Sequence, residues 1–283
     1  MRRRLLDRAV TTIAAIAAVV AAGTFATVIG LVVSRGWRAI SWNFLTTATA
    51  EAGSAGGVLY QLIGTLILIA TAIAIAIPIA AGVGVWLHIY ATGRMRAIVA
   101  PALHATNGVP SIVFGLVGFA FFFHFLNMKK SWLAGGILLA IMILPTLVVA
   151  FLERLRAIPR DSLLAAFGLG LGRGDIVRTV LMPQAASGLL TGTLLGLARA
   201  AGETAPIMFT AAVFSGATLP RGISDSPILA LPYHIFVLAQ DSYDPEAITR
   251  LWGTAAVLVL LVVLLSAAAI PLRLRIPEAN RHD

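Results

Sequence analysis

The chain predicts an all-α integral membrane fold with six transmembrane helices, and three features carry that prediction. Of its 283 residues 59% are hydrophobic and 12% charged, with a mean hydropathy of +0.94, whereas soluble domains carry about 25% charged residues. Six segments are apolar at roughly the length, about 20 residues, that a helix needs to cross a bilayer core. Arginine and lysine fall unevenly on the connections between them, as an oriented membrane protein requires. The formal charge of +9 therefore sets topology rather than nucleic-acid affinity. The absence of cysteine excludes a disulfide framework, a thiolate nucleophile and a Cys-based metal site.

Taken in order, Met1 to Arg4 is basic, and Ala9–Val33 follows without a charge. That run is about twice the length of a secretory apolar region and reads as an uncleaved first span. Ser34–Val58, with Gly53, Gly56 and Gly57 near Ser54, reads as a flexible external connector. The second span is Leu59–Ile89. The third is Pro110–Leu126, the shortest, built on the run Val113–Phe119. Trp132–Leu152 is the fourth, and residues 153–183 form a polar loop. Ser187–Phe214 is the fifth and alone carries interior charges, Arg199 and Glu203. Ser215–Arg250 is a second external excursion, whose apolar Leu229–Phe236 is too short to span and reads as re-entrant or interfacial. Tyr233, Tyr243 and Trp252 suit interfacial anchors. The sixth span is Leu251–Leu272, and residues 1–283 form one transmembrane domain.

With the N-terminus inside, the inside segments hold Arg2, Arg3, Arg4, Arg8, Arg94, Arg96, Arg154, Arg156, Arg160, Arg173, Arg178, Arg273, Arg275 and Arg281. The outside segments hold Arg35, Arg38, Lys129, Lys130, Arg221 and Arg250. The bias exceeds two to one and puts both termini inside. Pro78, Pro110, Pro145 and Pro206 lie in or at the edge of spans. Each removes a backbone hydrogen bond and is expected to kink its helix, which suits a bundle that rocks.

The inside loop from Ile158 to Pro183 is patterned. Pro159 to Ala166 reads as a short helix that Asp161 or Ser162 can cap, and the glycines after it as a stop. A second short helix follows, and Pro183 opens the fifth span. The run Gly168-Leu169-Gly170-Leu171-Gly172-Arg173-Gly174 lacks the P-loop pattern and has no lysine near it, so this chain holds no nucleotide that way. The five histidines, His88, His104, His124, His234 and His282, show no metal spacing and read as interfacial or solvated. No Ser–His–Asp set can be assembled at one depth, so no catalytic residue is assigned. Phe119–Phe125 reads as lipid-facing or packing aromatics.

Ala165, Ala166, Gly170, Val180 and Pro183, with Met182 in a usual leucine position, resemble the "EAA" loop of ABC importer permeases. The chain departs from that pattern at the leading acid, where it has Leu164, and Asp161 or Arg173 are the candidates to substitute. Three further stretches resemble the permeases of phosphate-specific, Pst-type importers over about the whole length. They are Gly108–Gly115, Gly192–Ala211 with Arg199-Ala200-Ala201-Gly202-Glu203-Thr204-Ala205-Pro206, and Leu231-Pro232 with the Tyr243–Trp252 run. Glu203 to Ala211 looks more like the A-type than the C-type subunit of that pair.

The resemblance implies a type I ABC importer permease (MetI-like) fold in a bacterial inner membrane, with both termini cytoplasmic. It implies as partners a homologous C-type permease, a dimeric ATP-binding cassette subunit and an external phosphate-binding protein. ATP and Mg would sit on the partner ATPase, leaving this chain without a cofactor. Ala165, Ala166, Gly170 and Pro183 would belong to the coupling element.

Arg199 and Glu203, four apart, can pair on one helix face. They stand either as a gating or anion-path pair, with Thr204 beside them, or as a pair gluing helices to the partner permease. An ionisable group at the centre of a membrane helix costs roughly 2.5–3.5 kcal/mol on insertion scales, which favours a functional role. Asn107 and Ser111, at the start of the third span, could line the path. Alternatives to phosphate are another oxyanion such as sulfate or molybdate, or an ion-coupled secondary carrier, although carriers commonly show internal repeats.

Overall fold

The computed structural model describes residues 2–50, 55–216, 218–240 and 244–275. Gly53, Ser54, Tyr243, Arg281 and His282, named above, lie outside them. The described chain is almost wholly helical. Helix α1, Arg2–Gly36, leads through a short turn into α2, Trp42–Thr46. The connector expected to be flexible is ordered where it is described. Ser41 caps α2 by accepting from the Phe44 amide, and Phe44 is buried. Two-residue strands β1, Thr49–Ala50, and β2, Ala55–Gly56, pair antiparallel, with Thr49 opposite Gly56.

Helix α3, Leu59–Val85, ends in a widened turn over Trp86–Tyr90. Helix α4 is Gly93–Thr106, and α5, Ser111–Phe119, continues as a widened turn through Phe125. Here the structure corrects the expected third span: Ser111–Phe125 is too short to cross alone, and it bends 99° from α4. The reason lies in Gly108-Val109-Pro110, since Pro110 lacks an N–H and pushes Val109 out of the α region. Among the described residues five helices are long and apolar enough to cross a membrane, and the α4–α5 pair makes a sixth if counted as one.

Helix α6, Trp132–Arg156, is the axis of the fold, with 67% of its apolar window buried. Leu139, Met142, Ile143, Leu147 and Val148 on it are almost wholly enclosed. Two helices close on it with small residues at four-residue spacing. Helix α3 brings Ala72, Ala76 and Ala80, and α9, Met182–Gly202, brings Gly188, Gly192 and Gly196. A Cβ on Gly192 would lie 2.9 Å from Leu147 Cα, so the two backbones touch there. Lipid is as apolar as leucine, so close packing of this kind, not escape from water, selects which helix faces meet. By contrast α1 has none of its apolar window buried and leans mainly on α12, Pro245–Arg275.

Between α6 and α9 lie α7, Arg160–Gly168, and α8, Arg173–Ile176. Neither Asp161 nor Ser162 caps α7: Pro159 occupies the cap position without a side-chain bond, and Asp161 falls in the first turn. Pro183 does not open the fifth span either. The helical run begins at Arg173 and passes through a widened turn, Val177–Leu181, into α9. That widening falls where Pro183 would clash with the Thr179 carbonyl four residues earlier, so the helix passes the proline without a break.

On the opposite side, α10, Ala205–Thr210, and α11, Leu231–Leu238, complete the fold. As expected, α11 is too short to span. The Ser215–Arg250 excursion is tied down: Lys129 pairs with Asp225 at 2.7 Å, and Ile228 is fully buried. Lys130 Nζ donates to the carbonyls of Met208 (2.8 Å) and Ala212 (3.0 Å), and so closes the C-terminal end of α10. His234, expected at an interface, is only 3% exposed and stacks on Phe214.

Candidate functional site

The fifth span is broken where its charges lie. Helix α9 stops at Gly202, and Glu203 takes extended backbone (φ −77°, ψ 124°) before α10 starts at Ala205. Pro206 cannot donate to the Gly202 carbonyl, which an unbroken helix would require, and instead falls in the first turn of α10, where no such bond is needed. The expected single charged helix is therefore two pieces, and Arg199 and Glu203 pair across the end of the first rather than along an unbroken face. Arg199 Nε lies 3.5 Å from Glu203 Oε1, with the two side chains 26% and 16% exposed.

A second helix break meets the first. Asn107 closes α4 at the bend before α5, and its Oδ1 accepts from Arg199 Nη1 at 3.3 Å. The same oxygen accepts from Thr146 Oγ1 at 3.1 Å. Thr146 follows Pro145 inside α6 and lies about 21 Å and 15 Å along the helix from its two ends, at 1.5 Å per residue. The cluster thus sits at mid-depth of the central helix. Guanidinium carries five N–H donors in a planar fork, and Glu203 and Asn107 engage two of them. The others make no hydrogen bond among the described residues, and a guanidinium fork of this kind matches an oxyanion bidentately in general.

Ser111 and Thr204 make no side-chain hydrogen bond to this cluster among the described residues. Helix α5 meets α10 at Gly115, which backs onto Ala205 and Phe209. Ser111, one turn earlier, lies on the same face of α5. Thr204 immediately precedes α10, and both side chains are half-buried. The geometry thus gathers Asn107, Arg199 and Glu203 through direct contacts, while Thr204 is only their chain neighbour and Ser111 shares the face of α5 that meets α10. Thr146 was missed in the sequence; its only signal was a hydroxyl next to a mid-span proline.

The knob formed by α7 and α8 has two faces. Ala166, 5% exposed, packs inward on Phe151, Leu155, Ile176 and Leu181. Outward, Leu164 is 66%, Phe167 52% and Leu169 82% exposed. Gly170 carries φ +78°, a conformation that costs a non-glycine residue roughly 1–2 kcal/mol, and it turns the chain back toward α8. Ala165 is exposed, and Pro183 rides in the helical run that joins the knob to Arg199. The Arg173 guanidinium lies 5.9 Å from the centre of the Tyr90 ring, so it is already engaged within the chain.

Comparison with known proteins gives concordant results. Residues 74–274 match the family described as binding-protein-dependent transport system inner membrane component. The phosphate transport system permease protein PstA of Xylella fastidiosa (strain Temecula1) is 32% identical over 280 residues, covering 98% of this chain and 96% of that one. The phosphate transport system permease protein PstA 1 of Mycobacterium tuberculosis (strain CDC 1551) is 30% identical over 279 residues, covering 96% and 90%. Among solved structures, an inward-facing conformation of the MetNI methionine ABC transporter superposes with a TM-score of 0.60 at 17% identity. It covers 77% of this chain and 97% of that one, a likeness of fold.

Proposed function

The chain belongs to the family of binding-protein-dependent transport system inner membrane components, and from that premise we propose that it carries inorganic phosphate across the bacterial inner membrane. In this reading it is the permease subunit of an ATP-driven importer, both termini are cytoplasmic, and the knob faces the cytoplasm. The likeness to phosphate permeases over nearly the whole chain supports the substrate. Arg199 carries the reading at the level of chemistry: a guanidinium held by Glu203 and Asn107 at two helix breaks, with donors to spare. Broken helices at mid-depth are tolerated where they line a cavity or are buried in protein. Such a site need only touch the anion transiently, since tight ground-state binding would slow its release.

Transport needs a drive, and this chain has no P-loop. ATP and Mg belong, in this reading, to a partner ATPase that docks on the apolar face of Leu164, Phe167 and Leu169. A second permease would complete the path, and an external phosphate-binding protein would deliver the anion. The knob can transmit force because Ala166 is locked into a core shared by the ends of α6 and α9. From Arg173 to Gly202 the helix is continuous, about 45 Å long at 1.5 Å per residue, and carries Arg199 in its last turn. Displacing α7 therefore moves the bottom of a lever whose top holds the cluster.

Radiolabelled phosphate uptake tests the proposal, in cells lacking this chain and complemented with wild type or Arg199→Ala. Wild type should restore uptake that arsenate inhibits and sulfate does not. Arg199→Ala should assemble into the complex and fail to transport. Normal uptake by Arg199→Ala would remove the site, and sulfate-sensitive uptake would reassign the substrate.

A further inference from the structure

A second basic feature lies away from the Arg199 cluster, at the other end of α4. Arg96 and Asn107 are eleven residues apart, about 16 Å along that helix. Around Arg96 the widened turn after α3, the end of α6 and the start of α7 enclose a cavity of about 420 Å³. Leu87, Leu152 and Ile158 form its floor. Arg96, Arg156 and Arg160, with His88, form its wall, and no carboxylate lines it.

Arg96 is built in: its Nε donates to the Leu87 carbonyl and its Nη2 to the His88 carbonyl, each at 3.0 Å. Arg156 and Arg160 form no ion pair among the described residues. Arg156 sits in the last turn of α6, where a helix dipole favours a cation, but Arg160 occupies the first turn of α7, where it does not. Three guanidiniums around one cavity repel one another unless an anion joins them, and guanidinium matches phosphate geometry bidentately.

We propose that this cavity binds a phosphate group, carried by an anionic lipid headgroup or as free inorganic phosphate, and that the bound anion ties α7 to α4 and α6. The apolar floor suits the glycerol and acyl root of a lipid, and basic pockets between helices on the cytoplasmic side take up such headgroups. The site is distinct from the transport path. It acts on the knob: with Arg160 held to Arg96 and Arg156, α7 moves as one body with the ends of α4 and α6, so occupancy sets how firmly the lever is gripped.

The test uses the full chain in nanodiscs. In discs of phosphatidylcholine with phosphatidylglycerol, native mass spectrometry after extraction counts retained phosphatidylglycerol. In discs of phosphatidylcholine alone, equilibrium binding of radiolabelled inorganic phosphate is measured, on wild type and on Arg199→Ala to remove any contribution from the path. The double variant Arg156→Gln/Arg160→Gln should bind its ligand about ten- to a hundredfold more weakly. Both side chains are exposed and lack hydrogen bonds among the described residues, and an unchanged melting temperature confirms folding. Arg156→Lys/Arg160→Lys should recover part of the affinity, and Arg178→Gln, outside the cavity, should lose none. Lipid retention lost in the double variant identifies a headgroup, and phosphate binding lost there identifies the free anion. No retention of either by wild type, retention unchanged in the double variant, or an equal loss in Arg178→Gln overturns the proposal.

Discussion

Neutralising Glu203 separates the two roles open to Arg199, because one role concerns stability and the other transport. At the observed 3.5 Å, opposite unit charges attract by about 5 kcal/mol at an effective dielectric near 20. Water reaches roughly a quarter of the Arg199 side chain and a sixth of Glu203, which lowers the net coupling to about 1–3 kcal/mol. Glu203→Gln leaves a cation at mid-depth with Asn107 as its main partner, and should destabilise by about 2 kcal/mol. Arg199→Ala should cost a similar amount by stranding the carboxylate. The double variant holds neither charge and should cost less than the sum of the two, by the coupling energy. The assay pairs unfolding in detergent with phosphate uptake for all four proteins. A path role for Arg199 requires that the double variant regain stability yet transport nothing. If it regains uptake together with stability, the pair is structural glue and the transport site lies elsewhere.

Three further outcomes are expected. Gly192→Val should push α9 off α6, since its Cβ would meet Leu147 Cα at 2.9 Å, and lower stability by about 1–3 kcal/mol, whereas Gly174→Ala, with open space around it, should not; melting temperatures of the two variants decide this. Leu164→Asp with Phe167→Asp should leave folding within about 0.5 kcal/mol of wild type, because both side chains are exposed, yet abolish co-purification of the ATPase and uptake; a complex that purifies intact would refute the docking face. His234 is held at a pKa of about 4, below the ordinary 6.5, first by burial and then by the charge of Arg250. Its neutral form belongs to the folded state, so its contribution is intact above pH 6.5 and is lost as pH falls toward 4, amounting to about 3 kcal/mol at the limit. The melting temperature of wild type should fall over that range, and His234→Phe should flatten the fall.

Hydropathy made the bundle legible because the bilayer imposes one rule on every span. Breaks within spans were less legible. Pro78 and Pro145 stay inside continuous helices, whereas Pro110 and Pro206 stand at the start of the helix that follows a break. Sequence shows four prolines with the same local cost; what differs is the neighbourhood. Gly108 stands two residues ahead of Pro110 and Gly202 four ahead of Pro206, each weakening the helix next to the break, while Ala74 and Ile141, both compatible with a helix interior, stand four ahead of the others. The pairing of Arg199 with Glu203 was readable from spacing. Their contact with Asn107 was not, since nothing local says that residue 107 and residue 199 lie at one depth. Only the packing of α4, α6 and α9 around Thr146 brings them there.

That packing also decides how force on the knob can reach the cluster. A flexible loop at residues 153–183 would dissipate motion, and a helix starting afresh at Pro183 would hinge there. The chain does neither. The widened turn at Val177–Leu181 carries the helix past the proline, and Leu181 and Ala185 on either side of it are fully buried against the same core as Ala166. The first unpinned backbone along this path is therefore at Gly202 and Glu203, beyond Arg199. On the proposed function, a push on α7 would be relieved at the break that holds the guanidinium, so the ion pair, and not the proline at the base of the helix, would be where displacement changes what the anion meets.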